Sequence, residues 1–236
     1  MMALIFRRWQ MRCIADFLTV IIWGIPLGCF FLLLIILGRI RIHGYMRAIR
    51  LVTRGRVIIA ANHPSMLETL LIPLSFFPWY LYSLRLFVWS VPDQRLLPPW
   101  MRVLFWIGRC VTVDRSKPNS NKHALRELAA ILERKGVIVI HPEAGRTFKG
   151  QNFLFCGNRK IRHFTSGVPA LARNTGATIL PLWVSGSDKV LPAETFFPRF
   201  IQSKIILSFG IPYHPPQEKN QGTDESYTLA QAILRS

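Results

Sequence analysis

His63 and Glu68 are the residues whose types and spacing most clearly indicate chemistry, and both lie in the segment Asn62-His63-Pro64-Ser65-Met66-Leu67-Glu68. Glu68 is the single acidic residue between Phe17 and Pro92, and apolar residues flank it on both sides. A carboxylate in apolar surroundings is costly unless a partner pairs with it, and the nearest candidate is the imidazole of His63. Such a carboxylate fixes the tautomer of the ring and stabilises the cation that forms when the other nitrogen accepts a proton. The segment therefore indicates a general base with an orienting acid, or else a helix start with a polar residue at each end.

A short strand and a helix are predicted to position this pair. The apolar run Val57-Ile58-Ile59-Ala60-Ala61 is typical of a buried strand, and it ends directly before the polar segment. Pro64 suits the first turn of a helix, so a helix is predicted over residues 65–76 with Glu68 about one turn inside it.

A second polar cluster follows another predicted strand, Val137-Ile138-Val139-Ile140. It reads His141-Pro142-Glu143-Ala144-Gly145-Arg146-Thr147, and we interpret His141 as structural. Sites in open α/β sheets form beyond the carboxyl ends of the strands, so the clusters at His63 and Glu143 are expected to converge.

The remaining pattern alternates short apolar runs with amphipathic stretches, which predicts an α/β fold with a mixed, largely parallel sheet flanked by helices. We assign this domain to residues 41–236. Further strands are predicted over residues 110–113, 178–184 and 204–209, and helices over residues 122–135, 167–174 and 224–234.

Residues 1–40 predict an N-terminal membrane-embedded helical segment. A short basic, partly amphipathic stretch precedes 22 uncharged residues from Phe17 to Gly38, which is long enough to cross a bilayer. The alternatives are a single span and a re-entrant hairpin broken at Gly24, Pro26 and Gly28. Arginines on both flanks suit a hairpin with both ends in the cytoplasm. In a single span, the heavier positive charge after the segment would also place the domain on the cytoplasmic side.

The composition favours some classes of binding partner over others. The net charge is +18, with 22 Arg against 8 Lys, yet half of the residues are hydrophobic. This combination favours an anionic membrane surface or phosphorylated ligands over nucleic acid, and Arg is suited to bidentate phosphate contacts. The spacing of the cysteines argues against a zinc site and a disulfide framework. They are Cys13, Cys29, Cys110 and Cys156.

Four blocks in order resemble the glycerolipid acyltransferase family typified by lysophosphatidic acid acyltransferase. Asn62-His63-x4-Glu68 is similar to the family's Asn-His-x4-Asp motif, and Gly108-Arg109-Cys110-Val111-Thr112-Val113-Asp114-Arg115 resembles its second block. Pro142-Glu143-Ala144-Gly145-Arg146 resembles the Pro-Glu-Gly-Thr-Arg block, and Thr178-Ile179-Leu180-Pro181-Leu182 resembles the fourth block.

The resemblance implies a membrane-bound O-acyltransferase whose domain lies on the cytoplasmic face. His63 would be the general base, oriented by Glu68, and the activated hydroxyl of a lysolipid would attack an acyl thioester of coenzyme A or acyl carrier protein directly. No cofactor, metal or acyl-enzyme is implied. Substrate-binding roles fall to Asn62, Arg115, Glu143, Gly145 and Arg146, and acceptor or membrane contacts to Arg159, Lys160 and Arg162.

Departures from the family pattern leave the acceptor open. Glu68 replaces the usual Asp, Ala144-Gly145 replaces Gly-Thr, and the stretch from Phe164 to Gly167 lacks the lysines common in the family. Lysophosphatidic acid is the expected acceptor. The alternatives are a different lysolipid, such as a lyso-aminolipid or lysophospholipid, and a catalytically inactive lipid-binding relative.

Overall fold

The computed structural model describes residues 14, 16–92, 109–113, 118–143, 147, 152–162, 167–192, 198–200, 203–216 and 225–236. The predicted basic stretch before residue 14 lies outside these residues, as do Arg115, Gly145 and Arg146.

A five-stranded sheet forms the centre of the described chain, in the order β1-β7-β6-β2-β3. Pairs β1–β7, β2–β6 and β2–β3 are parallel and β6–β7 is antiparallel, so the predicted mixed, largely parallel sheet is confirmed. A separate antiparallel hairpin pairs β4 with β5. The strands are β1 (Ile40–His43), β2 (Val57–Ala61), β3 (Val137–Ile140), β4 (Phe153–Cys156), β5 (Arg159–Arg162), β6 (Thr178–Ser185) and β7 (Ile205–Phe209).

Helices cover both faces of this sheet. Because side chains alternate along a strand, Val57, Ile59 and Ala61 of β2 enter one apolar core, and Ile58 and Ala60 enter the other. The continuous apolar run of β2 is thus explained by burial on both faces. The helices are α1 (Asp16–Ile36, π-helical over Val20–Gly24), α2 (Tyr45–Arg54), α3 (Glu68–Leu74), α4 (Trp79–Tyr82), α5 (Pro118–Glu133), α6 (Gly167–Thr175), α7 (Ser187–Val190) and α8 (Glu225–Leu234).

Helix α1 is one uninterrupted helix of 21 residues, long and apolar enough to cross a membrane. It does not reverse at Gly24, Pro26 or Gly28, as the hairpin alternative required. One face packs on the domain: Tyr80 donates a hydrogen bond to the Gly24 carbonyl oxygen at 2.7 Å, and Gly28 faces the ring of Phe77. The absence of a side chain at Gly28 permits this approach, because a Cβ there would lie 2.4 Å from the Phe77 ring.

An ion pair holds the beginning of α1. Arg109 donates to both carboxylate oxygens of Asp16, at 2.9 and 2.6 Å, and a third bond reaches the Leu84 carbonyl oxygen at 2.6 Å. The guanidinium also lies over the Trp89 ring, 5.4 Å from its centroid. A residue of the second sequence block therefore attaches the apolar helix to the domain.

Several helices and strands differ in detail from those predicted from the sequence. The helix expected over residues 65–76 begins only at Glu68, which is its first residue and not one turn inside, because residues 64–67 form the turn that precedes it. The strand predicted over residues 110–113 is wrong, since Cys110 pairs with Ser90 in an isolated bridge that belongs to none of the described strands. The alternation of apolar runs predicted neither β1 and α2 nor the β4–β5 hairpin.

Candidate active site

The carboxyl end of β2 delivers Asn62 and His63 to the site. The Asn62 side chain is buried and pairs with the backbone of β6: its amide nitrogen donates to the Val184 carbonyl oxygen at 2.8 Å, and its oxygen accepts from the Val184 N–H at 2.7 Å. These bonds continue the β2–β6 pairing beyond the strand. Asn62 thus sets the backbone position from which His63 projects.

His63 and Glu68 form the pair that their spacing predicted. The Nδ1 atom of His63 lies 3.1 Å from Oε2 of Glu68, whose side chain is 0% exposed, whereas the His63 side chain is 14% exposed. An ionised carboxylate can only accept, so Nδ1 carries the proton and Nε2 of the neutral ring is left as an acceptor. This is the tautomer that a general base requires.

Hydrogen-bond donors surround the Glu68 carboxylate. Its Oε1 atom accepts from the Ser65 N–H at 3.0 Å, from the Ser65 hydroxyl at 3.1 Å and from the Ser187 hydroxyl. Burial by itself would raise the pKa of Glu68, but the hydrogen bond and charge of His63, together with Ser187, outweigh it and hold the pKa below its usual value. Glu68 is therefore a carboxylate at neutral pH.

Glu143 joins three segments of the chain. Its Oε1 atom accepts from the His63 N–H at 2.9 Å and from the Thr147 hydroxyl at 2.7 Å, and its Oε2 atom accepts from the Arg162 N–H at 2.9 Å. The side chain is buried, and burial raises its pKa against the opposing effect of these donors. The two polar clusters thus meet, as the strand-end argument expected.

His141 also contacts His63. The two rings are stacked, with centroids 4.3 Å apart and planes inclined by 15°. Nδ1 of His141 lies 3.2 Å from the carbonyl oxygens of both Ala61 and Asn62.

A basic cleft of about 740 Å³ opens beside the chain neighbours of His63. Its wall includes Asn62 and Pro64, the two neighbours of His63, and it carries four cationic side chains and one acidic one, Asp188. The cations are Arg159, Lys160, Lys189 and Lys204.

The acyltransferase family profile matches residues 39–185, which span the sheet from β1 to β6 and include both polar clusters. The chain belongs to the acyltransferase family. The fold is similar to that of the 1-acyl-sn-glycerophosphate (LPA) acyltransferase PlsC from Thermotoga maritima, with a TM-score of 0.56 and 18% identity over 84% of this chain and 70% of that one. At this identity the likeness concerns the fold, and it agrees with the α/β class predicted from the sequence.

The acyltransferase domain brings most of the predicted site residues into one region. His63, Glu68, Asn62 and Glu143 are in mutual contact or share a neighbour, and Arg159 and Lys160 line the adjacent cleft. Arg159 donates to the Leu234 carbonyl oxygen at 2.8 Å and lies over the Trp183 ring, while the backbone N–H of Arg162 contacts Glu143.

Ser187 is the residue of this acyltransferase that the sequence did not single out. It follows the turn after β6, 119 positions from Glu68 in the chain, and it is fully buried. The sequence offered only the small, polar run Ser185-Gly186-Ser187-Asp188, which we interpret as a turn. Only the neighbouring positions of β2 and β6 in the sheet bring this turn to the carboxylate.

Proposed function

We propose that this acyltransferase is membrane-bound and moves a fatty acyl group from an acyl thioester to the hydroxyl of lysophosphatidic acid. The proposal rests on the pair formed by His63 and the buried carboxylate of Glu68. The acyl donor is acyl-CoA or acyl carrier protein, and the products are phosphatidic acid and a free thiol.

His63 acts as the base in a direct transfer. Its Nε2 atom takes the proton of the acceptor hydroxyl while the oxygen attacks the thioester carbonyl, and the positive charge on the ring is stabilised by Glu68. The carbon–sulfur bond then breaks, and the imidazolium returns its proton to the leaving thiolate. A positioned base of this kind contributes about 10²- to 10⁴-fold to the rate.

A phosphorylated acceptor is supported by the basic cleft. Four cations face one carboxylate, so the cleft favours an anion, and its wall includes both neighbours of His63. A phosphate held there lies on the same side of the domain as the base. Arg115, Gly145 and Arg146 remain predicted substrate-binding residues from their motifs, with Arg146 expected to bind the acceptor phosphate.

Membrane association is supported by the surface that α1 leaves uncovered. Phe17 is 61% exposed and Ile36 is 80% exposed, on a helix whose other face packs against the domain. Tyr82 and Trp79 of α4 are exposed as well, and such side chains suit the boundary between lipid and water. We place the domain on the cytoplasmic face, because more arginines follow the apolar segment than precede it.

The test is an acceptor screen of the purified protein in detergent or vesicles, with free thiol and product mass as readouts. The substitution His63→Ala should lower thiol release by at least about 100-fold while the protein stays folded. His123→Ala is the matched control, since this histidine is exposed on α5. Unchanged thiol release in His63→Ala would refute the mechanism, and tight lipid binding without turnover in the wild type would indicate an inactive relative.

The acceptor is tested with cleft variants. The double substitution Lys189→Ala and Lys204→Ala, and separately Arg146→Ala, should raise KM far more for lysophosphatidic acid than for a lysophospholipid without a phosphate monoester. Equal effects on both acceptors would remove the reason for preferring lysophosphatidic acid and would favour another lysolipid.

A further inference from the structure

The position of His141 follows from the register of two central strands. Ala60 of β2 is paired with Ile140 of β3, so the chain leaves the sheet at the same level on both strands. The first residue after β3 is therefore close to the first residues after β2. This places the His141 ring face to face with that of His63, with centroids 4.3 Å apart.

Hydrogen bonds from the edge of the His141 ring also hold it in place. Carbonyl oxygens only accept, so the Nδ1 atom that lies 3.2 Å from the oxygens of Ala61 and Asn62 carries a proton. The Nε2 atom is then unprotonated; it is buried and has no hydrogen-bond partner among the described residues. The same imidazole thus contacts the ring of His63 and the backbone that leads to it.

We propose that His141 is a positioning residue for acyl transfer, whose ring face holds the His63 imidazole in the plane that directs Nδ1 at Glu68. This inference rests on the proposed role of His63 as the base. Because the His63 ring is already held in this plane, it loses less conformational entropy on reaching the reactive geometry.

The electrostatics of the pair agree with this role. Burial, and then the charge of His63, lower the pKa of His141 to about 4, so that it stays neutral while His63 gains and loses a proton. The carboxylates facing the two rings are Glu68, bonded to His63 Nδ1, and Glu143, bonded to the His63 N–H. The cations on the wall of the neighbouring cleft are Arg159, Lys160, Lys189 and Lys204.

A space-filling role alone does not account for an imidazole at this position. A phenyl ring would fill similar space without burying an unpaired nitrogen, and buried polar atoms are normally satisfied. The imidazole instead supplies an N–H for the two carbonyl oxygens while it stacks on the base. Two substitutions separate these contributions: His141→Ala removes both, and His141→Phe retains the stacked ring alone.

The experiment measures kcat and KM of the full chain in detergent, per folded molecule, with an acyl thioester and a lysolipid acceptor. We expect His141→Ala to lower kcat roughly 3- to 10-fold, the size of an aromatic pair, while KM stays within about twofold. His141→Phe should recover most of that loss. The matched control, His123→Ala, should behave as the wild type. Melting temperatures of all variants separate loss of fold from loss of positioning.

A second readout does not depend on turnover. In the folded protein without substrate, stacking shifts the ring-proton NMR signals of His63, which the His63→Ala spectrum identifies. These signals should move in His141→Ala and stay close to the wild type in His141→Phe. Unchanged signals and kcat in His141→Ala, or a kcat in His141→Phe as low as in His141→Ala, would overturn the inference. A wild-type protein that releases no thiol would refute the proposed function instead, and the NMR signals would then decide the contact by themselves.

Discussion

Removal of the Glu143 carboxylate is expected to separate the three segments that meet at the site. It accepts hydrogen bonds from the backbone of His63 and Arg162 and from the Thr147 hydroxyl, all between 2.7 and 2.9 Å. In Glu143→Ala these donors lose their acceptor in a buried place. Bonds to a charged acceptor contribute about 1.5–3 kcal/mol each, and an unsatisfied buried donor costs about 1–3 kcal/mol.

The expected loss for Glu143→Ala is about 3–6 kcal/mol, below the simple sum because the adjacent cleft admits water to the Thr147 side. That is a large fraction of the stability of a domain, which is about 5–15 kcal/mol. At roughly 2–4 °C per kcal/mol for a chain of this length, the melting temperature should fall by roughly 6–24 °C.

A graded series tests the reasoning by tryptophan fluorescence during thermal unfolding. Glu143→Gln keeps one carbonyl oxygen but places an amide group against the Arg162 N–H, so it should lose about 1–2 kcal/mol. Thr147→Ala removes one donor and should lose about 1 kcal/mol or less. The control Glu127→Ala, at an exposed position of α5, should not change the melting temperature. A melting temperature of Glu143→Ala within 2 °C of the wild type would refute the account.

Two further predictions concern single contacts. Ser187→Ala removes a hydroxyl donor from the buried Glu68 carboxylate, so kcat should fall about tenfold, and a wild-type kcat would show that Ser187 does not hold Glu68. Gly28→Leu places a side chain against the Phe77 ring, so it should displace α1 and destabilise the domain by about 1–3 kcal/mol. Limited proteolysis after α1 and the melting temperature measure this change against Gly167→Ala, whose Cβ meets nothing within 4 Å. Equal protease resistance in both would contradict the packing of α1 on the domain.

The contact between His63 and Glu68 could be predicted from the sequence because the two residues are close together in the chain. His63 and Glu68 lie five residues apart, and a single turn before α3 is enough to bring a ring nitrogen to a carboxylate. The apolar runs of β2 and β3 are buried on both faces, so their ends could be located from hydrophobicity. Continuous apolar runs do not mark β1 and α2, because arginines interrupt both elements, at Arg41 in β1 and at Arg47, Arg50 and Arg54 in α2.

The sequence by itself thus determined the α/β class, the two strand ends and the pairing of His63 with Glu68. Only the tertiary structure decided that the Ser187 hydroxyl donates to the Glu68 carboxylate, that Glu143 joins three segments and that His141 stacks on His63. These contacts link residues about 80 or more positions apart, or depend on the register of neighbouring strands. The pattern of one chain specifies which face of a strand is buried, but the order of strands in the sheet and the direction of each side chain arise only when the whole domain packs.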